Sequence, residues 1–581
     1  MSNKIITNEN SKQQTANSKQ QTANSKQRTA NKLILIFCLF LTLYSCKKTI
    51  QETTADEAIN LSTRAGSGNE NENSTIIELG INKINPYTVS NMVASYSALN
   101  TSGVNSLRTV NIRATHLYIK FKPQNYYQYL KIKEDSTIAT SDIPIEANIV
   151  KQGNVYHDPA LPNDVPTYQY TAVKVGYRFI DTIPYEIISQ LYIPEQDEAL
   201  NGSNFENKIY VDKLLDQAYI QTNNFTDTIK APVVNSDNNR FTPGGRIRIF
   251  DTRTNTRIGM EGVLIKANRW FTNYFAQTNF NGDYRMANRF DRPCNYSLHF
   301  VTGRYLVMEH FFGLESKING PKLEGDWNFD INNGYDRFIG HIFRGAFRYN
   351  YKFTGGLKRP TDNLVSNTQV VHLYRAKNGF KGSSGSATSF PVITFIRISR
   401  FKNAAETVEY LSDEVFSTTC HETAHSSHVN SMNGLPQYWQ VQPKIQESWA
   451  LAVEWQITSI EYVERGIANY GQWNYHPNPV NDFFLEAPND QGYQYWNQNN
   501  WDYTSLFINL IDDFNENNLI FDGFLIPSIV NDGVTGYSLQ FIEQNLLKHV
   551  YGVSTLETLL RANKPVGVTD LQLSELLKSY Y

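Results

Sequence analysis

Two histidines and a glutamate within five residues carry the clearest chemical signal in the chain. His421, Glu422 and His425 form the pattern His-Glu-x-x-His. Residues four apart on a helix share one face, so both imidazoles can bind one small cation. Glu422 lies beside the pair, where its carboxylate can take a proton from a water bound to the same metal. The spacing therefore predicts a zinc site that activates water.

The flanking sequence predicts that this pattern lies on a helix. Ser412 is expected to cap that helix, with Asp413 and Glu414 in its first turn. Residues 433–434, an Asn-Gly pair, are expected to end it. Residues 392–398 alternate as a β-strand does, so a strand should lie directly before the helix.

A tetrahedral zinc site of this kind needs a third protein ligand. His428 lies nearly two turns from His421 on the same rigid helix and can hardly close such a site. We expect it to support the site from behind or to lie on the surface. A second helix, beginning near Pro443, carries Glu447 and Glu454 on a small, apolar face, where an unpaired carboxylate is costly to bury. Glu447 is the expected ligand, and Glu454 competes with it.

These residues resemble the gluzincin superfamily of zinc metallopeptidases, and the resemblance covers roughly residues 390–470. That family has His-Glu-x-x-His on one helix and a glutamate ligand on the next. The resemblance implies one zinc ion, bound by His421, His425 and Glu447, with Glu422 as the general base.

The chain departs from the thermolysin-like pattern in one respect. The family places an aspartate four residues after the ligand glutamate, where this chain has Leu451. The carboxylate that orients the histidines must then come from elsewhere, and Glu454, Asp512 and Asp513 are candidates.

Such a site also needs a group that donates a hydrogen bond to the tetrahedral intermediate. Tyr462 and His476 are the residues that we would replace first, and Tyr470 and Tyr503 are further candidates.

The first 45 residues predict a polar repeat followed by an export signal. Residues 10–30 repeat a seven-residue polar sequence without an apolar stripe, so we expect no coiled coil there. A basic flank and an apolar run of about a dozen residues then end in Leu43-Tyr44-Ser45-Cys46. Residues 46–75 are rich in Gly, Asn, Glu and Ser and predict a flexible linker.

The end of this apolar run resembles the lipobox of bacterial lipoproteins. The resemblance implies that Cys46 is lipidated, for example with palmitate, and becomes the mature N-terminus. The protein would then be tethered to a membrane of the bacterial cell envelope, with the outer membrane and the cell surface as its expected location. The alternative is a signal peptide that is cleaved nearby and leaves Cys46 unmodified.

The rest of the chain predicts an α+β protein of several domains. Residues 76–200 predict an α/β domain of unknown role, and 201–240 predict an irregular connector. Residues 240–304 carry short strands separated by Asn-Gly turns. Residues 305–581 predict a largely helical, zincin-like metallopeptidase domain.

The strands at 245–249, 262–265 and 278–284 resemble the carboxypeptidase regulatory-like domain, a small transthyretin-like β-sandwich. This resemblance implies an accessory module without catalytic residues. By resemblance to zincins, the strand at 392–398 would be the sheet edge that lines the cleft and pairs with the substrate backbone.

Composition narrows the classes of partner. The net charge is -3 and no large basic patch is present, so we expect no nucleic-acid partner. The aromatic content is 13%, with 35 Tyr, which is compatible with polar aromatic surfaces that contact carbohydrate. Only Cys294 and Cys420 remain after Cys46, so no disulfide framework is expected.

Three functions fit these features. The first is a zinc-dependent endopeptidase, a metalloprotease that hydrolyses extracellular protein or glycoprotein. The second is a non-catalytic surface lipoprotein that binds glycan or a host protein. The third is a zinc hydrolase that acts on another amide, for example in a wall fragment or a glycan.

Overall fold

The structure is a computed structural model, and the residues that it describes lie within Ala58–Tyr581. The described residues are 76–101 and 110–581, apart from 125, 136, 152–155, 163–164, 166, 181, 198–199, 201–204, 225–239, 309–314, 333, 361–370, 381–387, 390–392, 402–404, 406, 433, 472–501, 514, 516–519, 522–523 and 526–530. The predicted repeat, signal, linker and Cys46 therefore lie outside the described residues, as does His476. Within the described part, none of the helices has the length and apolar character needed to cross a bilayer.

The described chain is a mixed α+β fold with several separate sheets. Its N-terminal part has an antiparallel sheet in the order β4-β2-β5 and a small β1–β3 pair. The helix at 205–221 contradicts the irregular connector predicted there, because Tyr210, Leu214 and Ala218 recur at helical spacing and are buried. The elements are β1 (Glu78–Leu79), α1 (Val89–Thr101), β2 (His116–Phe121), α2 (Tyr126–Glu134), β3 (Ile149–Lys151), β4 (Gln169–Lys174), β5 (Tyr185–Leu191) and α3 (Phe205–Gln221).

Two four-stranded sheets follow and bury their inner side chains in one core, which Ile247 and Ile249 share with Ile265 and Leu298. One sheet has β6 between β10 and β14, with β7 also paired to β6, and the other has the order β13-β11-β8-β9. Strands beyond residue 304, the predicted boundary, complete both sheets. In chain order, the strands of this part of the chain are β6 (Gly244–Asp251), β7 (Thr256–Gly259), β8 (Leu264–Arg269), β9 (Thr272–Gln277), β10 (Asp283–Arg285), β11 (Cys294–His299), β12 (Tyr305–Met308), β13 (Lys317–Leu323) and β14 (Phe329–Ile331). Of these, β12 belongs to neither of the two sheets.

Strand β12 belongs to a further sheet, of order β12-β15-β17-β16. Strands β12, β15 and β17 are parallel, and the short β16 is antiparallel to β17. The strand predicted at 392–398 is β17. It was expected to be a sheet edge, but Thr394 and Phe395 pair with β16, so part of that edge is already occupied. The elements are α4 (Gly334–Tyr351), β15 (Val371–Phe380), β16 (Thr388–Ser389) and β17 (Ile393–Phe401).

The remainder is mostly helical and has its own apolar core. The predicted helices at the His-Glu-x-x-His pattern and at Pro443 are both present. The elements are α5 (Ser412–Ser431), α6 (Leu435–Tyr438), α7 (Pro443–Glu464), β18 (Ile520–Phe521), β19 (Phe524–Leu525), α8 (Leu539–Phe541), a π-helical turn (Ile542–Leu546), a 3-10 turn (Leu547–His549), α9 (Val553–Ala562) and α10 (Asp570–Leu577).

The start of α5 differs from the prediction. Ser412 is its first residue rather than its cap, and Leu411 precedes it. The Glu414 carboxylate accepts the Leu411 N–H at 2.5 Å and so satisfies one of the backbone donors exposed at the helix start. The Ser412 hydroxyl is instead bonded to Thr252, at the end of β6.

Candidate metal centre

Helix α5 packs closely against α4 on one side and faces α7 on the other. A Cβ at Gly345 of α4 would lie 2.7 Å from the Phe416 carbonyl oxygen, so only glycine permits this approach. Cys420 lies on the same side, with its sulfur 3.7 Å from the Gly345 carbonyl oxygen. The two histidines of the pattern face the opposite helix, α7.

Three ligand atoms from α5 and α7 converge there. Oε2 of Glu447 lies 3.2 Å from Nε2 of His421 and 3.3 Å from Nε2 of His425. One ligand atom from each of these residues lies within 4.8 Å of the other two, and all three residues are buried. The structure thus brings the three predicted ligands together.

The spacing fits a small tetrahedral cation. Ligand atoms about 2.0–2.1 Å from zinc, at the tetrahedral angle, are separated by roughly 3.3 Å, close to the measured distances. Two imidazole nitrogens and one carboxylate also match the donor set of catalytic zinc sites. The three side chains can therefore supply three ligands to a metal ion.

The far nitrogens of the two histidines also have partners. Nδ1 of His421 lies 3.1 Å from a carboxylate oxygen of Glu454, and Nδ1 of His425 lies 3.0 Å from the Tyr438 hydroxyl. The Glu454 carboxylate only accepts, so it keeps a proton on Nδ1 of His421 and presents Nε2 to a metal, whereas the Tyr438 hydroxyl fixes the orientation of the His425 ring. Glu454 therefore lies on the side of the His421 ring away from Glu447, in the orienting position that was one of its two predicted roles.

Tyr438 is a contact that the sequence analysis missed. The signal that could have found it is the short connection 432–442 between the two ligand helices, because its side chains must lie close to both helices.

Buried carboxylates outnumber the positive groups at this site. Burial opposes the charge on His421, but Glu454 and Glu447 hold its pKa well above the ordinary value. Burial also opposes the charge on Glu447, yet His425 and His421 hold the pKa of its carboxyl well below the usual range. The pocket thus stabilises positive charge, as a cation site requires.

Glu422 is buried beside these groups. Burial raises the pKa of its carboxyl to about 7, against the opposing effect of the two histidines. It accepts no hydrogen bond from the part of the chain that the structure describes. Its carboxylate is therefore available to a water in the pocket.

The predicted donors to the tetrahedral intermediate fall in different places. The ring of Tyr503 stacks on His421, with centroids 5.9 Å apart, so Tyr503 borders the site. Tyr462 is fully buried and donates to Asp251 at 2.8 Å, about four helical turns from Glu447. Tyr470 donates to Asp413 at 2.7 Å.

The two aspartates predicted to orient the histidines do not contact them. Asp512 lies near Asp532, whose pKa its charge raises, and Asp513 is exposed.

His428 is fully buried rather than on the surface. Its ring packs edge-on against Tyr438 and Trp449, at centroid distances of 5.1 and 6.4 Å. Burial lowers its pKa to about 3. His428 is therefore a neutral core histidine. Its ring contacts Tyr438, whose hydroxyl is hydrogen-bonded to His425.

The end of strand β6 holds the start of the metal-binding helix. The side chains of Thr252 and Ser412 exchange hydrogen bonds with each other and with both backbones, at 2.8–3.0 Å. Nε of Arg253 lies 2.5 Å from Asp413, which also accepts the Tyr470 hydroxyl, and this ion pair is buried. The sequence did not predict these contacts, because the paired residues lie 160 positions apart.

A second buried network ties the same strand to α4 and α7. Asp251 accepts Arg344 at 2.9 Å and the Tyr462 hydroxyl at 2.8 Å. Arg344 also donates to Glu461 at 3.0 Å. The carboxyl end of β6 therefore contacts three helices, including both that carry the ligands.

No protein family matches this chain, and neither a curated protein nor a solved structure matches it.

Proposed function

We propose that this chain is a zinc-dependent endopeptidase that hydrolyses extracellular protein or glycoprotein at the bacterial envelope. One observation carries the proposal: Nε2 of His421, Nε2 of His425 and Oε2 of Glu447 converge, with the Glu422 carboxylate beside them. Ligands and base together are what metal-assisted hydrolysis of an amide requires.

Each residue has a distinct task in this mechanism. Zinc held by the three ligands would acidify a water molecule and polarise the scissile carbonyl. Glu422 takes the proton of that water and later passes it to the leaving amine. Glu454 holds the His421 imidazole in the tautomer that binds metal, and Tyr438 holds the orientation of the His425 ring. Tyr503, stacked on His421, is placed at the border of the site to contact the substrate.

The surrounding fold supports a zincin-like catalytic domain. Strands β12, β15 and β17 pair in parallel, and β16 adds an antiparallel strand. In chain order, α4 comes between β12 and β15, and α5 follows β17. The two sheets before them correspond, in our proposal, to the carboxypeptidase regulatory-like sandwich. The α/β domain at 76–200 has no assigned role. We propose that lipidated Cys46 anchors the chain.

A binding function is the second candidate, and one cleft favours it. A cleft of about 750 Å³ lies over β6, β10 and β14, and Arg246, Arg248, Asp283, Asp330 and Phe329 are among its lining residues. Planar hydrogen-bonding groups beside an aromatic ring suit a glycan or a protein loop.

Replacement of the general base separates the two functions. We expect Glu422→Gln to keep one zinc per chain, measured by elemental mass spectrometry, and to lose peptide cleavage by several orders of magnitude. Normal cleavage by this variant, or a wild-type chain that takes up no zinc on reconstitution, would refute the peptidase. Binding of glycan or protein should survive the substitution if the second candidate is correct.

A further inference from the structure

Asp502 lies next to the candidate metal centre although it is distant in sequence. Its carbonyl oxygen accepts the Ser448 hydroxyl at 3.3 Å, and Ser448 directly follows the ligand Glu447. Thr504 strengthens this attachment, because its hydroxyl and its backbone N–H lie 2.6 and 3.1 Å from the same Ser448 oxygen. The segment 502–504 is therefore fixed along the start of α7.

Tyr503 fixes the same segment against α5. Its ring stacks on the ligand His421 at an interplanar angle of 23°. Asp502 is thus held between the two ligand helices, at the border of the site.

The Asp502 carboxylate is exposed and forms no ion pair or side-chain hydrogen bond with any residue in the described ranges. Lys444, the nearby cation, donates to the Tyr580 carbonyl oxygen at 2.7 Å instead. Partial burial and the negative charge of Glu447 both raise the pKa of Asp502, so the two carboxylates act on each other. Among the described residues only the charge of Lys444 opposes this effect, so the exposed Asp502 carboxylate can pair with a ligand.

The charge around the centre favours a cationic ligand. Glu447, Glu454 and Asp502 supply three negative charges and Glu422, with a pKa of about 7, supplies part of a fourth, whereas a divalent metal offsets only two of them. Lys444 adds one positive charge at the border. The site thus retains negative potential on the side where Asp502 is exposed.

We propose that Asp502 selects peptide substrates that carry a lysine or arginine side chain close to the scissile bond. This inference rests on the proposed peptidase function. The exposed carboxylate would pair with the cationic side chain of a substrate whose scissile bond lies beside Glu422.

The test uses zinc-loaded full chain and internally quenched peptides in which lysine, or the uncharged norleucine, is fixed in turn at each of three positions on either side of the cleaved bond. At one position we expect kcat/KM to favour lysine by about two- to fivefold. Asp502→Asn should abolish that preference, measured as the ratio of kcat/KM for the lysine peptide to kcat/KM for the norleucine peptide. Asp502→Lys should reverse it, so that glutamate is preferred at the same position. Asp513→Asn, an exposed aspartate in the same part of the chain, is the control.

Equal cleavage of lysine and norleucine peptides at every position would overturn the inference, as would an Asp502→Asn variant that loses activity on both alike. Binding of the same peptides to zinc-loaded Glu422→Gln, measured by calorimetry, separates this failure from failure of the peptidase. An Asp502-dependent preference for lysine in binding, without any cleavage by wild type, would support the role of Asp502 and refute the peptidase. Absence of both preferences would refute the inference.

Discussion

Oε2 of Glu454 lies 3.1 Å from Nδ1 of His421, on the side of the imidazole opposite the nitrogen that faces Glu447. The two glutamates of α7 are seven residues apart, about two helical turns, and so lie on the same face. One ring thus separates a carboxylate placed to bind metal from a carboxylate placed to orient the ligand.

This arrangement predicts different effects for the two glutamates. Glu447→Ala should remove a ligand and leave the chain without tightly held zinc. Glu454→Gln keeps an acceptor for Nδ1–H but loses its charge, so zinc affinity should fall by about 10- to 100-fold. Chelator competition measures both effects, with Glu575→Gln, a partly buried glutamate on α10 that pairs with Lys578, as a control. Loss of zinc in Glu454→Gln alone would move the third ligand to Glu454.

Two tyrosines on neighbouring elements should respond in opposite ways to loss of their hydroxyls. Tyr438→Phe removes the contact with Nδ1 of His425 and keeps the ring against His428, so zinc affinity should fall about tenfold with little change in thermal stability. Tyr462→Phe removes a buried hydrogen bond to Asp251 and should cost about 1.5–3 kcal/mol of unfolding free energy at unchanged zinc affinity. The same two effects from both variants would contradict this separation of roles.

The link between β6 and α5 predicts a large loss of stability. Arg253→Met would leave Asp413 buried with only the Tyr470 hydroxyl, at a cost of about 3–5 kcal/mol in unfolding free energy. The matched Arg248→Met breaks a half-exposed pair with Asp330 on the same strand and should cost about 1 kcal/mol or less. Urea unfolding measures both, and equal costs would show that the Asp413 pair is not isolated from water.

Asp532 predicts a pH dependence of stability. Burial, together with the charge of Asp512, raises the pKa of its carboxyl from 3.8 to about 8. The folded state therefore keeps a proton that the unfolded state releases near pH 4, so this group's contribution to stability falls as pH rises from about 4 to about 8.

Asp532→Asn keeps the oxygen that accepts the Val534 N–H and cannot ionise. Relative to wild type, it should gain stability steadily between pH 5 and pH 8, measured by urea unfolding at each pH. A stability difference that stays constant over this range would exclude ionisation of Asp532 as its cause. As a control, Asp513→Asn, at an exposed position, should show the same pH dependence of unfolding free energy as wild type.

The sequence correctly predicted the two helices that carry the candidate ligands. The i to i+4 spacing places His421 and His425 on one face whatever the fold, and Pro443 marks the start of α7. The three predicted ligands then meet because a short connection joins the two helices.

Contacts between distant segments could not be predicted in the same way. Asp251 and Arg253 lie at the end of an ordinary strand. Nothing near them in the sequence indicates that Asp251 forms an ion pair with Arg344, or Arg253 with Asp413. Tyr462 lies on the ligand helix, but its distance along the helix axis takes it out of reach of the site. The helix α3 was not predicted because residues 201–240 are polar overall, and only Tyr210, Leu214 and Ala218 form an apolar pattern at helical spacing.

The path of the chain between β11 and α4 has a consequence for the order of folding. The chain leaves the paired sheets at β11, contributes β12 to the sheet of β15 and β17, and returns as β13 and β14 before α4 begins. Strand β14 pairs in parallel with β6, so Phe329 must be synthesised before it can lie beside Ile247. Synthesis from the N-terminus thus exposes unpaired edges on β6 and β11 until residue 331 has emerged, and a chain stopped at residue 304 would keep them as sites for aggregation.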